Sequence, residues 1–336
     1  MTEDIRNGPA LFLEIVTNKV PNHGNHAGST LWTGAESHAN PRRSFLTMLI
    51  IFNPAAGRRR AQLLWRVLDV LAIHAVRFEL VETRYPGHAE SLAREGARAG
   101  KTTIVAAGGD GTIAEVANGL TGTPSRLGII PLGTANVLAR ELGLSLSPRG
   151  VASTLAFGRV RTHWPGRISG PDGTSLFVQM LGVGLDAQVV HRLNPVMKRI
   201  LGRGAYVLQT LREVIRYDYE PIAVRIDGEE THAASVIVSK GRLYGGPYLL
   251  APDARPDEPG FSVSLFDRGG AAAALMYGAA LPFGRLGRMP GSRQMRAQSL
   301  VFPGNRRAPA QSDGDSAGYT PFSIDNAPGP IQLVVG

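Results

Sequence analysis

The stretch that decides the fold is IVAAGGDGTIAEVANGL, Ile104–Leu120. An apolar run of strand character ends in Gly108-Gly109-Asp110-Gly111-Thr112 and then takes up helical spacing. A glycine turn between a strand and a helix leaves backbone N–H groups open to close approach. The helix start adds partial positive charge, and the combination suits a phosphate. The pattern is neither the Walker loop nor the dinucleotide fingerprint. A turn of the same design follows one strand later in PLGTAN, Pro131–Asn136. Upstream, FLTMLIIFN closes on the turn Asn53–Gly57, and VRFELVET ends at Thr83. These strands alternate with the helical patterns AQLLWRVLDVLAIH, GHAESLAREGARAG and VLARELG. Such alternation predicts a parallel sheet with crossover helices. Successive strand ends then line one crevice at the carboxyl edge, where open α/β sheets bind ligands.

The fold class expected is therefore α/β: a three-layer, parallel-sheet nucleotide-binding domain over 45–147, followed by a second, mostly antiparallel β-rich domain. That second domain, 148–319, is read from LFVQMLGVGLD, IAVRIDG, THAASVIVSKG, YLLAPDA and FSVSLFD, with one helix over 194–216. Two short strands in 320–336 are expected to return to the first domain. Residues 1–44 are polar and aperiodic, and read as a disordered tail. Its His23, His26 and His38 lack orderly ligand spacing, and Met48 is an alternative start.

The 336 residues include no cysteine. This removes thiolate catalysis, disulfides and cysteine zinc sites, and fits a reducing cytoplasm. The net charge of +9 suits solubility or an anionic partner. No run reaches the ~18 apolar residues of a membrane span. The best candidate, Ala271–Phe283, is short and carries Gly278 and Pro282. Glu3, Asp4 and Glu14 spoil a signal-peptide reading.

IIFNPAAG, VAAGGDGTIAEVANGL and LGIIPLGTAN, in this order and spacing, resemble the diacylglycerol kinase catalytic-domain family. That family includes diacylglycerol, sphingosine and ceramide kinases and bacterial lipid kinases. GVGLDAQV, LYGGPYLLAPDARPDEPGF and QSDGD extend the resemblance over roughly residues 48–335. The resemblance implies ATP contacts at Asn53, Thr83, Gly108, Gly109, Asp110, Gly111, Thr112, Ile113, Ala114 and Thr134. Asp110 would shape the loop and act on the Mg2+ that accompanies ATP. Glu115 and Asn118 match the helix after the loop; for Asn118, helix–sheet packing is an equal alternative. Asp313 and Asp315 match the catalytic carboxylates, with Asp315 in place of the usual Glu. One of them would be the general base, and which one is left open. ARPDEPGF resembles a loop that holds a structural Mg2+ through one carboxylate and backbone carbonyls. Its candidates are the carboxylate of Glu258 or Asp257 and the carbonyls of Arg255 and Phe261.

The chain departs from the family pattern at Val137, at Trp164 or Pro165, and at Lys240, where acids and an asparagine are usual. The resemblance implies an ATP- and Mg2+-dependent lipid kinase, cytoplasmic and peripheral on the inner membrane face, touching an anionic surface. The cations expected there are Lys198, Arg199, Arg203, Arg212, Arg216, Arg285, Arg288, Arg293 and Arg296, with Leu201, Tyr206, Met276 and Phe283 as shallow apolar contacts. Nucleic acid is not an expected partner, and a homodimer is left open. The alternatives are an NAD kinase-like phosphotransferase sharing the GGDGT loop, and a nucleotide- or lipid-binding protein without catalysis.

Overall fold

The computed structural model describes residues 15–16, 31–33, 48–57, 60–193, 203–304 and 307–336. Met48–Phe52 and Thr103–Gly108 are strands in which every residue is buried. Unbroken apolar strands of this kind belong to a parallel sheet covered on both faces. The first unit contains β1 (Ile15–Val16), β2 (Leu31–Thr33), β3 (Met48–Phe52), β4 (Phe78–Glu82), β5 (Thr103–Gly108), β6 (Arg126–Pro131) and β7 (Arg159–His163). Its helices are α1 (Pro54–Gly57), α2 (Ala61–Ile73), α3 (His88–Arg98), α4 (Asp110–Leu120), α5 (Val137–Glu141) and α6 (Pro148–Phe157).

The second unit begins with β8 (Gly166–Gly170), β9 (Gly173–Phe177) and β10 (Met180–Val183), then α7 (Leu185–Arg192) and α8 (Arg203–Arg216). β11 (Ile222–Ile226), β12 (Glu229–Ala233), β13 (Ser235–Ser239), β14 (Leu243–Tyr244) and β15 (Tyr248–Leu249) follow. Next come β16 (Phe261–Phe266), α9 (Ala271–Ala280), β17 (Ser292–Ala297) and β18 (Leu300–Phe302). β19 (Pro309–Ser312), β20 (Asp315–Tyr319) and β21 (Phe322–Asn326) complete it. Of the two strands expected to return to the first unit only β22 (Ile331–Val335) does; β21 stays in the second unit, paired with β18 and β8.

The first sheet runs β1-β2-β4-β3-β5-β6-β22-β7. β4, β3, β5, β6 and β22 are mutually parallel, and β7 closes the far edge antiparallel to β22. α2 and α6 cover one face with Leu64, Val67, Leu71, Val151 and Leu155. α3, α4 and α5 cover the other with Ala93, Val116, Leu120 and Leu138. The second unit is two six-stranded antiparallel sheets, β17-β16-β13-β10-β19-β20 and β12-β11-β18-β21-β8-β9. They enclose one core that includes Phe177, Val224, Val236, Phe261, Phe302 and Ile324.

Two differences from the sequence reading have physical causes. The first sheet continues past residue 147, through α6 and β7. Ser147 caps α6 by accepting from the Gly150 N–H at 3.1 Å, and Pro148 presets the first turn. A Ser-Pro helix start was thus hidden in a stretch that reads as the beginning of a strand-rich region. Residues 31–33 of the expected disordered tail pair with β4, Trp32 opposite Leu80, which satisfies the polar edge of a strand otherwise left open. Ile15–Val16 of the same tail pairs with β2, Ile15 opposite Trp32. The rest of the tail lies outside the described residues, as does the segment 194–202; the described helix there is Arg203–Arg216.

Two polar staples join the units. Asn118 on α4 donates to the Leu176 carbonyl at 3.2 Å and accepts from the Leu176 N–H at 2.8 Å. The buried Glu141 on α5 accepts from the N–H groups of Arg242 and Leu243, both at 3.0 Å, and from Arg242 Nε at 2.8 Å.

α3 and α4 approach each other at Gly119. A Cβ there would meet the Glu90 carbonyl and come within 2.8 Å of Ala93 Cβ. Helix propensity alone makes Gly→Ala favourable by about 1 kcal/mol. Gly119→Ala is expected instead to destabilise by ~1–3 kcal/mol, because the helices must part. Equilibrium urea unfolding checks the sign.

Candidate functional site

The site starts from two touching glycine turns. Gly109 precedes α4, and Gly133 follows β6. A Cβ on Gly133 would lie 2.5 Å from Gly109 Cα and 2.8 Å from Asn136 Oδ1, so this contact admits only glycine. The Gly108 carbonyl accepts from the N–H groups of Leu132 (2.9 Å) and Gly133 (3.2 Å), locking the turns in register. The half-buried Asp110 carboxylate accepts from the Val137 N–H at 2.6 Å, the first residue of α5. Burial raises Asp110 above the ordinary carboxylate range, opposed by backbone N–H groups of residues 136–138. Asp110 therefore shapes the loop by tying the start of α4 to the start of α5. Val137, where the family often carries an acid, contributes its backbone here.

The first turn joins the same edge through Asn53. Its Oδ1 accepts from the N–H groups of Ala55 (3.0 Å) and Ala56 (3.3 Å), and its Nδ2 donates to Thr112 Oγ1 at 3.0 Å. Thr83, next along, donates its N–H to the Phe52 carbonyl at 2.8 Å. Thr134 is exposed on the second turn, and Ala114 is half-buried on α4. Ile113 is a correction to the expected set of ligand contacts. Its side chain is fully buried in the core, and its N–H is committed to the Gly109 carbonyl at 3.1 Å. It supports the loop from behind.

The second unit brings the carboxylates. Asp313 and Gly314, both with positive φ (50° and 88°), are the two central residues of the hairpin between β19 and β20, with Ser312 opposite Asp315. Asp-Gly is the pair that such a turn favours. The two acids then part company. The buried Asp313 turns inward and accepts from the N–H groups of Val178 (2.7 Å), Gln179 (2.8 Å) and Met180 (2.9 Å). Burial pushes it up to about 7 against the pull of those three donors, and the nearby Asp110 adds to the rise. Asp315 is exposed and faces the phosphate loop: a Cβ on Gly111 would run into its Oδ2.

A polar chain behind the hairpin was not singled out in the sequence. Tyr244 donates its hydroxyl to the Asp186 carboxylate, which also accepts from Gln311 Nε2 at 2.8 Å. Gln311 Oε1 in turn accepts from the Gly314 N–H at 2.8 Å. Burial raises Asp186 above the usual carboxylate range and Tyr244 well above the usual phenol range. The signal available was the position of Asp186 in GVGLDAQV and of Gln311 beside the Asp pair.

The loop expected to hold a structural Mg2+ has its Glu258 side chain in ion pairs. The Glu258 carboxylate is exposed and pairs with Arg255 at 3.0 Å and Arg296 at 3.8 Å. The Arg255 carbonyl accepts from the Glu258 N–H at 3.3 Å, and Phe261 stands in β16 opposite Ala297. Lys240, buried beside this loop, is lowered to about 8 by burial and then by Arg296, with Asp257 and Glu258 opposing. His163 is lowered to about 4, first by burial and then by Lys240; neutral, it donates from Nε2 to the Val178 carbonyl at 2.8 Å.

A parallel sheet with paired glycine turns and a carboxylate laid over one of them defines a phosphate-handling α/β fold of the kinase class. The diacylglycerol kinase catalytic domain matches residues 47–168, and the YegS C-terminal NAD kinase beta sandwich-like domain matches residues 179–335. A diacylglycerol kinase of Bacillus subtilis is 30% identical over 228 residues, 65% of this chain and 73% of that protein. YtlR, also of Bacillus subtilis, is 26% identical over 303 residues, 84% of this chain and 97% of its own. A crystal structure of a diacylglycerol kinase from Bacillus anthracis shares the fold with a TM-score of 0.67 at 21% identity, covering 88% of this chain and 98% of that one. The chain belongs to the diacylglycerol kinase catalytic-domain family and is a phosphotransferase with an alcohol group as acceptor.

The raised Asp313 gives a signed pH prediction. It holds its proton more tightly folded than unfolded, where the ordinary value is 3.8. Its contribution to stability therefore grows as pH falls from about 7 towards 3.8, and is lost as pH rises through that window. The Tm gap between wild type and Asp313→Asn is expected to widen from neutral to acid pH. A thermal melt series on both proteins checks it.

Proposed function

We propose that this chain transfers the γ-phosphoryl group of ATP to the hydroxyl of a long-chain lipid, and that Asp315 is the general base. The observation that carries this is the Asp315 carboxylate lying over Gly111 of the phosphate loop. The start of α4 and the glycine turns bind the nucleotide phosphates through backbone N–H groups and the helix dipole. The acceptor hydroxyl lies between that loop and Asp315. As its oxygen bonds to the γ-phosphorus and the bond to the β–γ bridging oxygen breaks, Asp315 takes the hydroxyl proton and ADP leaves. Asp313 has its oxygens spent on three N–H groups and acts by fixing the hairpin that carries Asp315. The Mg2+ that accompanies ATP prefers one or two carboxylates plus phosphate oxygens; Asp110 would supply a carboxylate, and the ion when bound would neutralise phosphate charge.

A peripheral membrane face is the second part of this reading. On α8, Val207, Leu211 and Ile215 recur every fourth residue and are exposed, Ile215 at 81%. α9 packs beside α8 and adds exposed Leu275, with Phe283 (77% exposed) just beyond it. Arg212, Arg216, Arg285 and Arg288 are exposed in the same region of the chain. This narrows the expected cation set. Arg293 is paired with Asp267 at 2.7 Å and Arg296 faces Glu258 at 3.8 Å. Met276 packs against a core cluster. Lys198, Arg199 and Leu201 lie outside the described residues, as do the side chains of Arg203 and Tyr206. Among the described residues, no helix is long and apolar enough to cross a membrane.

Two experiments test the reading. With radiolabelled ATP and Mg2+, the protein is expected to label a lipid in a panel of diacylglycerols, sphingoid bases, ceramides and monoacylglycerols. Asp315→Asn is expected to lower kcat ~10²–10⁴-fold with little change in ATP affinity. Labelling of NAD in place of every lipid overturns the acceptor, and full turnover in Asp315→Asn overturns the base. In liposome co-sedimentation, binding is expected to rise with anionic lipid and fall at high salt, each exposed arginine contributing about 1 kcal/mol. Equal, salt-insensitive binding to neutral and anionic vesicles removes the basic face.

A further inference from the structure

Lys240 follows β13, at a position where the family resemblance leads one to expect an asparagine, and its side chain is almost wholly buried, at 1% exposure. Its ammonium donates to the Glu258 carbonyl at 2.8 Å and to the Gly260 carbonyl at 2.7 Å. The face of the Phe261 ring lies 5.3 Å away. These groups belong to the loop for which the resemblance implies a structural Mg2+. We propose that the Lys240 ammonium takes the place of that cation, so that the 255–261 loop is held by a covalently tethered charge and needs no metal.

The geometry distinguishes the two. Mg2+ demands about six oxygens at about 2.0–2.1 Å in near-octahedral order. The carbonyls here sit at the spacing of an ammonium hydrogen bond, and a lysine offers three N–H donors and no acceptor. Of the two acids that the implied ligand set offers, Glu258 is drawn outward by Arg255 and Arg296, and Asp257 is exposed. A divalent ion placed among the same carbonyls would also meet the buried ammonium, a like charge with little water to screen it. The two departures from the family pattern thus explain one another: with a cation supplied by Lys240, a tight carboxylate ligand at 258 has no task.

The tether is also well placed to transmit order. The Lys240 N–H donates to the Gln179 carbonyl at 2.8 Å, and the Gln179 N–H is one of the three donors to Asp313. On its other side the loop is tied by the Trp164 N–H to the Pro256 carbonyl (2.7 Å) and by the Gly260 N–H to Asn326 Oδ1 (2.6 Å). Lys240 therefore connects the 255–261 loop to the backbone that holds the catalytic hairpin.

The test reads metal dependence, not turnover. Hydrogen exchange of the peptide covering 251–261 is measured on nucleotide-free protein in EDTA and in millimolar Mg2+. Wild type is expected to show equal protection in both buffers and a Tm that shifts by less than ~1 °C between them. Lys240→Met is expected to lose protection in this peptide in both buffers and to melt about 5 °C lower, since two buried carbonyls lose their donor. Loss of wild-type protection in EDTA with recovery in Mg2+ overturns the proposal. So does a Lys240→Met protein with unchanged protection. Should Lys240→Met not fold, the wild-type comparison alone decides.

Discussion

The structure depends on one carboxylate held by backbone. Asp313 gathers the N–H groups of Val178, Gln179 and Met180, the short crossing between β9 and β10. Consecutive N–H groups pointing one way cannot all be satisfied by a sheet ladder, and buried donors without partners are costly. A single acceptor with two oxygens satisfies them together. The same residue has positive φ and begins the tight turn into β20. One side chain thus closes a backbone deficit in one sheet and fixes the direction of a hairpin at its end. Asp315 inherits its position from that turn.

The cleft is made by two units, and polar staples cross between them. Asn118 and Glu141 reach across from helices that begin at the glycine turns. The elements that present the phosphate loop are therefore the elements that grip the second unit. Phosphoryl transfer is sensitive to placement more than to covalent chemistry. Loop and hairpin are thereby referenced to the same two helices.

Much of the fold was legible because its signals are local. The all-apolar strands around Ile50 and Val105, the paired Gly-Thr turns and the alternation in 222–266 each declare themselves within a few residues. The site was legible in kind: the glycine turns and the Asp313–Asp315 pair could be named, and the family resemblance gave them a chemistry. What could not be read was direction. Nothing in SDGD says that one acid turns inward and the next outward, since that is decided by N–H groups of residues 178–180. Ile113 reads as part of the loop but spends its N–H within α4. Glu258 reads as a ligand until Arg296, distant in sequence, arrives beside it. Lys240 stands out in the sequence only as a departure, and acquires a role once two carbonyls are seen to point at it. The α6 start at Ser147-Pro148 was readable from capping chemistry and was masked by the strand-rich texture that follows.

The place of β22 has a consequence for how the molecule comes into being. This strand lies between β6 and β7, yet it follows the whole second unit in the chain. During synthesis, β3 to β6 and their helices emerge first, with one flank of β6 unpaired and β7 without its neighbour. That flank is an open strand edge, and it stays open until residues 331–335 have left the ribosome. The first unit cannot mature as an independent N-terminal block. Its last step is a contact of very large sequence separation, the kind that slows folding and leaves an edge exposed to wrong pairing. The antiparallel unit between, made of hairpins with near neighbours, is able to form while the first sheet waits, and then delivers the strand that completes it.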